Sequence, residues 1–271
     1  MTATYIFTIA AKELRDRMRN QWVLAIALVF TAFSLIIAYF GGAQQGSIGF
    51  RSLEFTITSL VSLVIYLIPL IGLLLGFDAI VAERERSSLD LLLTLPITPL
   101  DLLLGKYLGL AAALALSTLL GFSLIAVLLY VQFGTAALFH FGGFMISALL
   151  LGMAFLSIAT LISVIARDRT RASGMAIATW FSFVLVFDLV LLGVLVATEG
   201  QWGGPVFAYL LLLNPADVFR ILNVFSVEAA NSSYGLTHLL PPALTRTWVM
   251  GGVMLAWVTI PLLIAKWRFK R

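Results

Sequence analysis

The sequence predicts an all-α polytopic membrane protein: six transmembrane helices with both termini on the cytoplasmic side. Three observations carry that expectation: the bulk composition, the lengths of the apolar runs, and the side on which the cations fall. The hydrophobic share is 61% and the charged share 11%, with a mean hydropathy of +1.06. Soluble domains run at about 45–50% apolar and about 25% charged. A chain of 271 residues folded in water has no interior large enough to hide so much apolar surface, so lipid is the solvent.

A span needs about 20 apolar residues to cross about 30 Å of hydrocarbon. The first runs from Trp22 to about Phe40 and ends at Gly41-Gly42. The second covers about 55–77, with Pro69 inside it as an expected kink. Between Lys106 and Arg167 no residue is charged, and His140 is the only histidine. That stretch is too long for one span and divides at Gln132-Phe133-Gly134-Thr135, which places a third span at about 107–131 and a fourth at about 141–165. The fifth covers about 173–197, interrupted by Asp188, and the sixth about 248–265. Together they form a single transmembrane domain over 1–271.

The cations orient the bundle. Fourteen Lys and Arg fall in the N-terminal segment, the second and fourth connections and the C-terminus. The other side holds three, Arg51, Arg220 and Arg246. This asymmetry places both termini inside and accounts for the net charge of +4 without nucleic acid. With no cysteine, the chain has neither disulfides nor thiolate metal sites. The six charges within Lys12–Arg19 precede the first apolar run with no small-residue cleavage site after it, so that run is expected to remain as an anchor.

Three pieces do not span. Residues 4–19 pattern as an amphipathic helix, with Tyr5, Ile9 and Leu14 apolar and the cations opposite; it is expected at the cytoplasmic interface. Between Glu83 and Gly109, Ser87 and Asp90 have capping-box spacing. Leu89, Leu92 and Leu93 share one face of a short helix that Pro96 stops at Leu95. Thr98, Pro99 and Asp101 then read as N-cap, first-turn proline and N3 acid of the next long helix. An exposed leucine face of this kind is a docking surface. The third piece is the outer connection, 198–245. In it Pro205–Leu213 is too short to span and either dips into the outer leaflet or packs on the bundle. Asn214, Pro215 and Asp217 cap an outer amphipathic helix over 215–229 whose apolar stripe is Val218, Ile221, Leu222 and Phe225.

The motifs that carry chemistry are few. The phosphate-binding loop G-x-x-x-x-G-K-[ST] is absent: Gly105-Lys106 is followed by Tyr107, and Leu100 stands where the first glycine belongs. Asp188, near the middle of the fifth span, costs about 2.5–3.5 kcal/mol to insert. It faces either a subunit interface or wet cavity, or the substrate. Asp78 and Asp188 do not make an intramembrane aspartyl protease, because they lie at different depths and Gly76-Phe77-Asp78 lacks the Gly-x-Gly-Asp pattern. His140 and His238 stand alone. Met250 and Met254 are four apart on the sixth span, a weak Cu(I) candidate since thioethers suit that ion, with core packing the ordinary reading. Paired intramembrane ions or inverted repeats, as in secondary transporters, are not evident.

The segment 83–109 resembles the permease subunits of type-2 ABC transporters. It carries Glu83-Arg84-Glu85, the leucine run Leu89–Leu93, Leu95-Pro96-Ile97-Thr98 and Gly105-Lys106. Lys12-Glu13-Leu14 and Leu213-Asn214-Pro215 with Asp217 and Arg220 also match, while Ser87-Ser88-Leu89-Asp90 departs mildly from the family's Gly-Thr-Leu-Glu. Nearly the whole chain is covered in order. The resemblance implies that Leu89–Thr94 is a coupling helix docking on a separate ATPase, which holds the ATP and Mg. Glu83, Glu85, Leu89, Asp90, Leu92, Leu93, Leu95 and Pro96 would form that contact, with Arg167 and Arg169 as a secondary one. It implies a half-transporter that pairs with a second copy, and an outer loop whose Asn214, Asp217 and Arg220 meet a periplasmic partner. Length and motif detail look most like half-size permeases of the bacterial inner membrane that serve copper-site maturation of nitrous oxide reductase. On that resemblance this chain binds no cofactor itself, although copper is expected in the complex.

Overall fold

The computed structural model describes residues 2–19, 21–40, 53–94, 96–199, 205–225 and 246–269. Among them there is helix and no strand. Six helices are long and apolar enough to cross a membrane. They are α2 (Trp22–Phe40), α3 (Leu53–Gly76), α6 (Pro99–Phe133), α7 (Thr135–Ile165), a fifth span of α8 (Arg169–Phe181) and α9 (Phe187–Ala197) joined by a π-helical turn, Ser182–Val186, and α12 (Thr247–Phe269). Ahead of them lies α1 (Thr2–Arg19). Two short helices, α4 (Val81–Glu85) and α5 (Ser88–Leu93), link α3 to α6. Between α9 and α12 come α10 (Pro205–Leu210) and α11 (Pro215–Arg220), the latter continued by a second π turn, Ile221–Phe225.

The helix limits follow from local chemistry. Thr98 caps α6: its hydroxyl accepts from Asp101 N at 3.1 Å while the Asp101 carboxylate accepts from Thr98 N at 2.9 Å. Two otherwise orphaned amides are thereby satisfied, and α6 starts at Pro99 as its cap residues predict, ahead of the apolar run from about 107. Hydropathy reports where the chain is apolar, whereas the helix continues to its cap. At the far end α6 and α7 are joined by Gly134 alone, at φ 79°. That left-handed value favours glycine and turns two long helices back to back. α3 and α12 run on through Pro69 and Pro261.

Lipid tails exert no hydrophobic pull between helices, so close approach at small residues takes its place. A Cβ on Gly72 would sit 2.9 Å from the Gly152 carbonyl oxygen, and one on Gly121 2.5 Å from Phe30 Cβ. Gly105 and Gly109, one turn apart, admit α1: added Cβ atoms would lie 2.7 Å from Ile9 Cβ and 2.6 Å from the Ala10 carbonyl oxygen. Farther along the bundle an aromatic chain ties α2, α6, α7 and α11. Phe30 meets Phe122 with centroids 5.3 Å apart, Phe122 meets Phe144 at 5.7 Å, and Phe144 meets Phe219 at 5.9 Å.

Gly109→Leu is expected to lower the melting midpoint of the purified chain in detergent, since overpacking costs about 1–3 kcal/mol. Gly174→Ala, where a Cβ meets nothing within 4 Å, is expected to leave it unchanged or slightly higher.

Candidate functional site

Two polar constructions occupy different parts of the bundle. The first lies at the end that carries α1, α4, α5 and the α7–α8 turn. Lys106 Nζ reaches Glu83 at 2.9 Å and Glu13 at 3.5 Å. Arg17 binds Glu13 and Asp78, each at 3.2 Å, and Arg169 takes the other Asp78 oxygen at 3.1 Å. The chain thus joins α1, the α3–α4 turn, α6 and α8 through five charged side chains and Glu83. Arg84 extends across the α7 terminus, donating to the Ala166 and Val164 carbonyls at 2.7 and 3.1 Å. There it satisfies carbonyls that a helix end leaves open. Ser163 Oγ accepts from Ile80 N and Val81 N at 2.9 and 3.0 Å. Glu85 accepts from Arg169 N at 2.6 Å.

Glu83 shows how the pieces balance. Burial alone pushes its carboxyl up, but the Ser88 hydroxyl, the Lys106 ammonium and, more weakly, Lys12 outweigh burial and hold it below its ordinary value. Glu83 is therefore held as a carboxylate, the form that binds Lys106. Ser88, not Ser87, makes the described bonds at this turn, to the Glu83 carbonyl at 3.1 Å and to its carboxylate. Ser87 instead takes a left-handed φ of 55° that reverses the chain between α4 and α5.

The residues expected to face an ATPase divide accordingly. Leu89 is buried and turned into the protein. Leu92 is half-buried and, with Pro96, Ile97 and residues of α1, lines a cleft of about 290 Å³ between α1 and α5. Glu85, Arg86, Thr94, Pro96, Arg167 and Arg169 are exposed. Leu95 and the side chains of Asp90 and Leu93 lie outside the described residues. The role of Glu83 as an internal brace to Lys106 carries no sequence signal beyond the charge itself, because the partner is 23 positions away.

The second construction is at mid-bundle. The sequence places a two-faced helix over 215–229 on the outer surface; the structure corrects this. Asn214 through Phe219 are all buried, leaving α11 without an exposed face over that stretch. Phe219 packs on Phe144 of α7, and Asn223 Nδ2 donates to Ser147 Oγ at 2.9 Å. Trp257 Nε1, midway along α12, donates to the Leu212 carbonyl at 3.0 Å. The segment 205–225 therefore enters among the spans and turns at Asn214. Irregular backbone at such depth is tolerated only where protein covers it. The reason the surface reading fails is that flanking spans fill both sides of the helix. Residues 226–245, His238 among them, lie outside the described set.

Asn214 organises the turn. Its side-chain oxygen accepts from Ala216 N at 3.0 Å, capping α11, and its amide donates to the Phe183 carbonyl at 2.8 Å and to Asp217 at 2.9 Å. Phe183 stands in the π turn of the fifth span, a widening that commonly marks a functional position. Arg220 bridges Asp217 and Asp188, the latter at 3.0 Å. Asp217 is buried, whereas the Arg220 and Asp188 side chains are 40% and 39% exposed. Asp78 and Asp188 each bind their own arginines, so the two acids share no site. Asn214 and Asp217 hold the segment in place rather than offering a contact surface. Arg220 alone of the three is partly open. Met250 and Met254 are buried in the main core, and among the described residues no group of three His, Cys, Asp or Glu converges on a metal site.

The fold is a six-span bundle with a charged, two-helix connection between α3 and α6, and the comparisons define its family. Residues 7–271 match the family described as ABC-2 family transporter protein, and the chain belongs to that family. It is 43% identical over 273 residues to a probable ABC transporter permease protein NosY of Stutzerimonas stutzeri, covering 98% of each chain. It is 44% identical over 272 residues to a protein of the same description from Pseudomonas aeruginosa, again over 98% of each. The chain is thus a multi-pass membrane permease subunit, and ATP hydrolysis is not its own activity.

Arg220→Ala is expected to lower the melting midpoint in detergent by leaving the buried Asp217 and the half-open Asp188 uncompensated. Adding Asp217→Asn is expected to restore part of it. A single variant that melts like the parent would show that the cluster does not hold the segment.

Proposed function

We propose that this chain is the permease half of an ABC complex that carries ATP-driven motion to the periplasmic side, in support of copper-site maturation of nitrous oxide reductase. The observation that carries the reading is the Glu83–Lys106–Glu13–Arg17–Asp78–Arg169 network. It ties α4 to the bases of three spans and to α1, and the bonds from Ser88 to Glu83 attach α5 to it, so a push on α5 moves them as one body. In this reading the cation-rich end is cytoplasmic and the membrane is the bacterial inner membrane. A NosF-like ATPase docks on the exposed surface of α4–α5 and on Arg167, holding ATP and Mg itself. A second copy completes the membrane domain, and a NosD-like protein meets the outer loop.

Motion then has a route across the bilayer. α8 is held to the charged end through Arg169, and its continuation is bound to the 205–225 segment through Asn214 and Arg220. A displacement of the fifth span therefore reaches the outer connection through hydrogen bonds rather than through lipid. The alternative, export of a small substrate, is favoured by one feature: the half-open Asp188–Arg220 pair, which lipid does not solvate and which suits a wet cavity. Copper in that case would be substrate.

Co-purification with the ATPase is the test. Leu92→Glu with Leu93→Glu is expected to abolish association while leaving the permease monodisperse; retained association would overturn the docking assignment. Asp188→Asn is expected to keep the complex assembled and to reduce maturation of the reductase. Full maturation with Asp188→Asn would remove that residue from the mechanism.

A further inference from the structure

The amphipathic N-terminal helix would ordinarily lay its apolar face on lipid. In this structure that face is already occupied. Ile6, Ile9 and Ala10 of α1 press on Gly105 and Gly109 of α6, and Glu13 and Arg17 are held by Lys106 and Asp78. The roll of α1 about its axis is therefore set by protein contacts, and so is the stripe it leaves outward. That stripe follows helical spacing and holds Lys12, Arg15 and Arg19 together with Phe7 and Met18. Phe7 is 69% and Met18 50% exposed. Among the described residues its one ion pair is Arg19 with Asp16 at 3.7 Å, while Lys12, at the stripe's edge, also feels Glu83 across the cleft between α1 and α5. Neither Lys12 nor Arg15 makes an ion pair among the described residues.

Chain continuity decides where the stripe sits. Arg19 lies within one helical turn of Trp22, the first residue of an all-apolar span. The Met18–Arg19 end of the stripe is consequently at the height of the headgroups, and α1, read as an interfacial helix, carries the rest of the stripe along the same surface. There cations interleaved with an aromatic and a methionine match a surface whose phosphates are negative and whose acyl boundary is apolar. A stripe made for a protein groove would not need to sit at that height.

We infer that the outward stripe of α1 is a binding surface for anionic phospholipid, with Lys12, Arg15 and Arg19 on headgroup phosphates and Phe7 and Met18 in the acyl boundary. It rests on the membrane reading but not on the ATPase assignment, which uses other residues.

The test uses the full chain, purified in neutral detergent and titrated with dimyristoyl phosphatidylglycerol or phosphatidylcholine, with bound lipid counted by native mass spectrometry. The parent is expected to retain phosphatidylglycerol several-fold over phosphatidylcholine. Lys12→Gln/Arg15→Gln/Arg19→Gln is expected to lose that preference and bring the ratio of the two lipids to about one. The charge-keeping Lys12→Arg/Arg15→Lys/Arg19→Lys is expected to retain it, which separates lipid binding from a folding defect. Equal retention of the two lipids by the parent, or an unchanged preference in the glutamine variant, overturns the proposal. So does a glutamine variant that keeps the preference but loses the co-purifying ATPase, which would assign the stripe to that protein.

Discussion

Hydrocarbon solvates neither a backbone amide nor a charge, and it exerts no pull between apolar helices. Everything distinctive in this protein answers that constraint. Where spans must adhere, glycine lets backbones touch, as at Gly72 against Gly152 and Gly121 against Phe30. Where a helix ends, a side chain closes it: Thr98 and Asp101 at the start of α6, Arg84 across the end of α7. Where the chain enters the bundle without crossing it, at 205–225, Asn214, Asn223 and Trp257 satisfy it with protein groups.

The same constraint makes the two polar constructions informative. The ionic network lies at the charged end, beyond the apolar runs, and links α1, α4, α6 and α8, the elements that the proposed coupling moves together. The Asp188–Arg220–Asp217 group sits where charge is expensive, and it joins the widened turn of the fifth span to the buried segment. The first construction gathers α1, α4, α6 and α8, and the second begins where α8 gives way to α9. A single helix thus connects them. That continuity is the physical link on which the proposed transmission of motion relies.

Much of this was legible in the residues. Six runs of the right length, Thr98-Pro99 with Asp101, Gly134 between two long helices and Asn214-Pro215 with Asp217 are local signals, and each has its structural counterpart. The site was legible only in part. Asp188 is conspicuous as an acid in an apolar run, but nothing near it in the chain names Arg220, 32 positions on. Leu89 and Leu92 belong to one leucine face by spacing, yet one is buried and the other lines a cleft, because α1 folds back beside them. The stripe over 218–225 looked like a surface helix because periodicity records one apolar face and is silent about what covers the other.

The residues by themselves determined the solvent, the number of spans and the N-caps of α6 and α11, since these depend on hydropathy and capping within a few positions. Tertiary structure alone decided which charges meet, that 205–225 lies among the spans, and that α1 spends its apolar face on α6 and turns its cations outward. Those outcomes depend on pairs far apart in the chain, and on glycine contacts whose geometry no local pattern encodes.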